Sequence, residues 1–174
     1  GNARYLPGFD LSSSLEATSD LGAAVIGADM VLVAVPTHGF RDTIVSAAPR
    51  IGADTPVFSL AKGFERGSGL RMTQVLAQVL PGRPVGVLTG PNLAKEILAG
   101  QSAATVVACT DPTVAVGLQS LLASERLRVY TNDDLVGCEI GGAFKNVIAL
   151  AAGMAEGLGT GDNARAALIT RGLA

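Results

Sequence analysis

From Met30 to Val35 the chain runs Met-Val-Leu-Val-Ala-Val without a polar side chain and halts at Pro36. Continuous apolar runs, unlike alternating ones, mark strands covered on both faces of a parallel sheet. This run is short and β-branched, which favours a strand over a buried helix. Comparable strands are predicted at 56–60, 85–88, 104–108 and 127–130. Between them the pattern turns helical: a short helix within 20–28, then helices near 40–48, 69–80, 93–98 and 112–122. In the third of these, Leu70, Thr73, Leu76, Ala77 and Leu80 share one face at helical spacing, and Pro81-Gly82 stops it. Asp111 is placed to cap the last, with Pro112 at its first position. Residues 1–14 hold Pro7, Gly8 and a run of serines, and read as an irregular surface segment. Strands alternating with helices at short intervals predict an α/β, doubly wound sheet.

After Tyr130 the alternation ends. Asn132, Asp133 and Asp134 cap and charge the start of a long helix, and no further strand pattern follows. A domain boundary is expected near 131. The new helix is apolar and rich in small residues, with Lys145 its only ionisable side chain between Glu139 and Glu156. Taking an ammonium out of water costs several kcal/mol unless it is paired. Lys145 therefore either snorkels to solvent or is held for a purpose. Gly141, Gly142 and Ala149 would let another backbone come close beside it. A desolvated lysine loses proton affinity and suits proton transfer. Asn146, about 100° further round the helix, offers an amide that can fix a substrate oxygen.

Composition narrows the classes. Of 174 residues, 48% are hydrophobic and 16% charged, enough for a core and low for a fully solvated surface. Some apolar surface should therefore face a partner or further chain. A net charge of −2 gives no general attraction to nucleic acid or anionic membrane. The single His and two separated cysteines, Cys109 and Cys138, do not make a zinc site of ordinary spacing. Lone thiols fit a cytoplasmic setting. The apolar run at 146–155 is about half the roughly 20 residues needed to span a bilayer. The chain opens on Gly and closes inside the helical pattern 166–174, so a piece of a longer protein is expected.

Ligands of open α/β sheets sit outside the carboxyl ends of the strands. That rule selects Pro36-Thr37-His38-Gly39-Phe40, Ala61-Lys62-Gly63 and the stretch from Thr89 to Glu96. Lys62 puts a positive charge at a strand end, with Gly63 leaving room for a ligand; an ordinary loop lysine is the alternative. Gly90 and Pro91 are read as opening a short helix whose free N–H groups could hold an anion, or as a plain turn. Lys95 and Glu96 read as solvent charges, and His38 as a loop histidine.

Gly142-Ala143-Phe144-Lys145-Asn146-Val147-Ile148-Ala149, then Gly157-Leu158-Gly159, Gly161-Asp162-Asn163 and Ala166 to Gly172, resemble NAD(P)-dependent glycerol-3-phosphate dehydrogenase of the bacterial type. Arg4-Tyr5-Leu6-Pro7-Gly8, Ala34-Val35-Pro36, Ala61-Lys62-Gly63 and Gly90-Pro91-Asn92-Leu93-Ala94-Lys95-Glu96 follow that family's order. The resemblance implies a partial Rossmann-like doubly wound sheet followed by the start of an all-helical domain. Residues 1–131 would be a dinucleotide-binding domain lacking its N-terminal Gly-rich unit, and 132–174 the beginning of a helical substrate domain.

It further implies hydride exchange between NAD or NADP and dihydroxyacetone phosphate or sn-glycerol 3-phosphate, in support of phospholipid synthesis. Lys145 would be the general acid/base and Lys62 a second catalytic lysine touching substrate and cofactor. Gly90, Asn92 and Asn146 would contact substrate; Pro36, His38, Phe40 and Ala94 would lie beside the dinucleotide. At position 92 the family more often carries a small hydroxyl residue. The partner implied is a phosphorylated triose, with neither nucleic acid nor a membrane span, and a homodimer is left open.

The family's Gly-x-Gly-x-x-Gly turn is not in this sequence, and its aspartate and phosphate-gripping Arg-Asn pair would fall after Ala174. Negligible turnover and weak dinucleotide binding are accordingly expected of this chain alone. Two other readings stay open. One is a related dehydrogenase of another 2-keto or 2-hydroxy compound; the other is a non-catalytic nucleotide-binding module in which Lys145 only snorkels.

Overall fold

The computed structural model describes residues 2–174; the first position of the expected N-terminal irregular segment lies outside them. From Asn2 to Asp20 the chain forms turns, bends and irregular stretches without helix or strand. Then follow α1 (Leu21–Val25), β1 (Val31–Val33), α2 (Thr37–Ala47) with a 3-10 turn, β2 (Val57–Ser59), α3 (Met72–Val79), β3 (Val85–Thr89), α4 (Ala94–Leu98), β4 (Ala103–Cys109), α5 (Pro112–Leu122), β5 (Leu127–Asn132), α6 (Leu135–Gly157) and α7 (Asp162–Leu173).

The five strands form one sheet in chain order, β1-β2-β3-β4-β5. The first three pair in parallel, with Val33 beside Ser59 and Ser59 beside Val87. β4 runs antiparallel to β3, with Thr89 opposite Val106, and β5 runs parallel to β4. The doubly wound sheet is therefore mixed, with one antiparallel seam between β3 and β4. The reason lies in α4. A parallel return needs a crossover of a dozen or more residues, usually a full helix. Only five of the thirteen residues between β3 and β4 are helical, so no full crossover helix covers the sheet between these two strands. The chain turns back instead.

Both faces of the sheet are covered, as the continuous apolar runs require. On one face Phe40, Ile44 and Ala47 of α2 and Met72, Val75 and Leu76 of α3 pack with Val33 and Val57. On the other, Ala115 and Leu118 of α5 pack with Phe58, Leu88, Val107, Cys109 and Val129. Neighbours Val57 and Phe58 point to opposite faces, and both are wholly buried. The α3 face is rotated from the sequence reading: Ala77 is exposed while Met72 and Val75 turn inward. The helix starts late because 64–71 fold into a hairpin. Phe64 bridges Arg71, and Gly67 and Gly69 turn with φ of 90° and 70°.

α6 packs against β3 and β4, and α7 against α6. Asp134 caps α6 by accepting from the Gly137 N–H at 2.8 Å. The helix is longer than the apolar run suggested. Its 23 residues suffice by length and composition to cross a bilayer, although Glu139 and Lys145 within it would be costly there. Much of its apolar surface is open: Val147, Leu150 and Met154 are all exposed.

Candidate functional site

β1, β2 and β3 end on the same edge of the sheet, so the residues after each of them converge. Gly63, with φ 128°, is close enough to the β1–α2 loop that a Cβ there would touch the Thr37 methyl at 3.5 Å. Along this edge α6 lies over the end of β3. A Cβ on Gly142 would stand 3.0 Å from Thr89 Oγ1 and 3.7 Å from Lys62 Cγ. Gly142 therefore permits the close approach expected of it, whereas Gly141 faces open space.

Between these walls is a cleft of about 650 Å³, lined by Lys62, the turn from Thr89 to Leu93, and one face of α6. Both lysines are in it. Partial desolvation, and secondarily the charge of Lys145, lower the proton affinity of Lys62 below the ordinary lysine value. Lys145 itself corrects the sequence argument. It is exposed, because little chain covers this stretch of α6, and its ammonium donates to Asn146 Oδ1 at 2.7 Å. Desolvation is visible at Lys62, on the opposite wall.

Gly90 and Asn92 line the same cleft, but not as the start of a helix. α4 begins at Ala94, and residues 90–93 form a turn. Gly90 is required by packing: a Cβ would come within 2.8 Å of the Ala104 carbonyl of β4. The Asn92 amide donates to Thr105 Oγ1 at 2.9 Å, which orients its carbonyl oxygen. Ala94 is exposed at the first turn of α4. Pro36 and His38 are exposed at the end of β1. Phe40 departs from the expected role: its ring is 1% exposed and belongs to the core. One α-helical turn beyond Pro36 brings it under the sheet, so its side chain offers no ligand surface. Asn146 sits on α6 beside Lys145, outside the cleft lining.

The sequence reading selected Thr89 at a strand end but missed Val106, Cys138 and the pair of walls they complete. It also missed Glu139, which is 8% exposed and forms an ion pair with Arg71. Its signal was present: an acidic residue in an apolar helix needs a partner as much as a lysine does.

The description NAD-dependent glycerol-3-phosphate dehydrogenase N-terminus fits residues 1–115, and that of the C-terminus of the same enzymes fits residues 134–174. A glycerol-3-phosphate dehydrogenase (NAD(P)+) of Sphingopyxis alaskensis is 56% identical over 173 residues, 99% of this chain and 52% of that protein. One from Thermobifida fusca is 52% identical over 175 residues, again 99% and 52%. The crystal structure of glycerol-3-phosphate dehydrogenase from Coxiella burnetii superposes with a TM-score of 0.90 at 39% identity, covering 98% of this chain and 52% of that one. The chain spans about half the length of the curated relatives it matches. With both descriptions matched in order and the strand-end cleft between them, this chain belongs to the NAD-dependent glycerol-3-phosphate dehydrogenase family.

Proposed function

We propose that this chain supplies the reaction cleft of an NAD(P)-dependent dehydrogenase that interconverts dihydroxyacetone phosphate and sn-glycerol 3-phosphate. The observation that carries the reading is the meeting of Lys62 and Lys145 in one cleft beyond the carboxyl ends of β1–β3. When bound, a reduced nicotinamide supplies the hydride. As the C2 carbonyl is reduced, charge develops on its oxygen, and two ammonium groups aimed there stabilise it. Lys145 then gives the proton to that oxygen, and takes it back in the reverse direction. Water can restore the Lys145 proton, since the residue is exposed. Asn146, hydrogen-bonded to the Lys145 ammonium from outside the cleft lining, holds it in place. The Gly90 turn and the oriented Asn92 carbonyl oxygen bind substrate hydroxyls from the other wall.

The residues present fit a dinucleotide at this edge. Pro36 and His38 are open, Ala94 is exposed, and the Lys62 charge suits a polyanion. Among the described residues there is no Gly-x-Gly-x-x-Gly turn, so the pyrophosphate is assigned no partner here. We place the division between dinucleotide-binding and helical units near 131, where the last strand gives way to α6. A cytoplasmic location goes with the two free thiols.

The test is oxidation of NADH and NADPH by protein of the relatives' full length that includes this sequence, not by the 174 residues alone, offered dihydroxyacetone phosphate or 2-ketopantoate. Turnover with the triose phosphate alone is expected. Preference for 2-ketopantoate, or turnover of neither, refutes the assignment.

A further inference from the structure

The two lysines sit on different elements, Lys62 on the loop after β2 and Lys145 on α6, so their separation depends on what holds α6 to that loop. The loop is a closed hairpin. Phe64 bridges Arg71, the Glu65 N–H donates to the Leu70 carbonyl at 2.9 Å, and the Gly69 N–H to the Glu65 carbonyl at 3.0 Å. Its outer side is pinned to α2: Arg41 donates twice to the Glu65 carboxylate, at 2.6 and 2.9 Å, and once to Gln78 at 2.8 Å.

Its inner side, together with the first turn of α3 that follows it, is pinned to α6 twice. The Glu139 carboxylate accepts from the Arg71 guanidinium, from the Thr73 hydroxyl and, at 2.9 Å, from the Thr73 backbone N–H. Five residues along α6, the Phe144 ring meets Phe64 edge-on, with centroids 6.1 Å apart and planes at 74°. Thr73 is 3% and Glu139 8% exposed, so the carboxylate is both desolvated and multiply satisfied. A buried charge of that kind is costly to leave unpartnered and fixes its donors tightly.

We infer that Glu139 is a positioning residue: through Arg71 at the end of the hairpin and Thr73 in the first turn of α3 it latches α6 to this unit and so sets the placement of Lys145 opposite Lys62. The lever arms are short. Lys62 is two residues from the bridged Phe64, ~7 Å of extended chain, and Lys145 is ~9 Å along α6 from Glu139. The inference rests on the proposed reaction, in which both ammonium groups serve one oxygen. A misplacement of ~1 Å at such a site can cost on the order of 100-fold in rate.

The experiment is steady-state kinetics of dihydroxyacetone phosphate reduction by protein of the relatives' full length that includes this sequence, carrying Glu139→Ala, Glu139→Gln, Arg71→Lys or Lys145→Ala, beside the same protein unaltered. Glu139→Ala should lower kcat on the order of 10- to 100-fold while KM for the dinucleotide stays nearly constant. Glu139→Gln, which can still accept from the Thr73 N–H, should recover part of that loss. If Glu139→Ala fails to fold, Glu139→Gln and Arg71→Lys are read by the same criterion of reduced kcat at constant dinucleotide KM. Variants that melt earlier yet keep the original kcat overturn the inference, since the latch would then be only structural. Lys145→Ala separates the two levels. An inactive Lys145→Ala beside fully active Glu139 variants sinks the positioning role alone, whereas a fully active Lys145→Ala sinks the acid/base reading and the positioning role with it.

Discussion

Gly86 is the second residue of β3, paired with Phe58 in β2 and Cys109 in β4. Glycine ordinarily weakens a strand by roughly 0.5–1 kcal/mol relative to alanine, so Gly86→Ala would be expected to help. The structure predicts the reverse. A Cβ there would overlap the Phe58 ring and lie 2.6 Å from the Ala108 carbonyl. Neither neighbour can retreat: Phe58 is wholly buried, and the carbonyl belongs to the β3–β4 seam. Forcing a methyl into such a site costs about 1–3 kcal/mol, sometimes more. With two rigid walls the upper end applies, leaving a net destabilisation of about 2 kcal/mol after the propensity gain is set against it. For a chain of this size that is a fall in Tm of about 4–8 °C. Urea unfolding of Gly86→Ala, Phe58→Leu and the double variant measures it. A smaller side chain at 58 should remove part of the clash, giving a favourable coupling of at least ~0.5 kcal/mol. A Gly86→Ala protein as stable as its parent, or strictly additive losses, would refute the reasoning.

Three further outcomes follow from the electrostatics and the cleft. Arg41 and Ser68 hold the Glu65 carboxyl down to about 2 from 4.5. A depressed carboxylate stabilises the fold above its unfolded value, so this contribution is complete above pH 4.5 and fades as pH falls toward 2. Limited proteolysis of the 61–71 hairpin should rise through that window, and Arg41→Ala should raise cleavage at pH 6 while flattening the dependence. Lys62 has the opposite sign: its folded proton affinity is lowered, so its charged form opposes folding and the penalty lifts as pH rises toward 10.5. Lys62→Met should therefore melt slightly higher at pH 7, with the gap closing in alkali. The same variant should lose roughly 10-fold or more in kcat/KM for dihydroxyacetone phosphate, the value of one charge-assisted hydrogen bond, and unchanged kinetics would count against its substrate contact.

Much of the sheet was legible because burial on both faces leaves a clear mark: 31–35 is apolar throughout, and 57–60, 85–88 and 104–108 are apolar apart from Ser59 and Thr105, none of them alternating. Helix α5 matched its expected bounds of 112–122, because Asp111 and Pro112 state its start chemically. The direction of β4 was not legible. A short helix was expected at 93–98 and lies at 94–98, but a short helix does not by itself say in which direction the next strand runs. Lys145 could be singled out as an isolated charge, but its exposure could not, since that depends on what lies over α6. Phe40 illustrates the same limit. Sequence order places it near a strand end, whereas the helical turn after Pro36 sends its ring into the core. The Glu139–Arg71 latch joins residues 68 positions apart, beyond the reach of any local pattern.

The central claim is that Lys145 moves the proton when the C2 carbonyl is reduced, and Lys145→Ala tests it most directly. Single-turnover reduction of dihydroxyacetone phosphate should slow by about 100-fold or more, with partial recovery when a small primary amine is added to the buffer. A rate within about twofold of the unaltered protein, far below what loss of a general acid costs, would contradict the account.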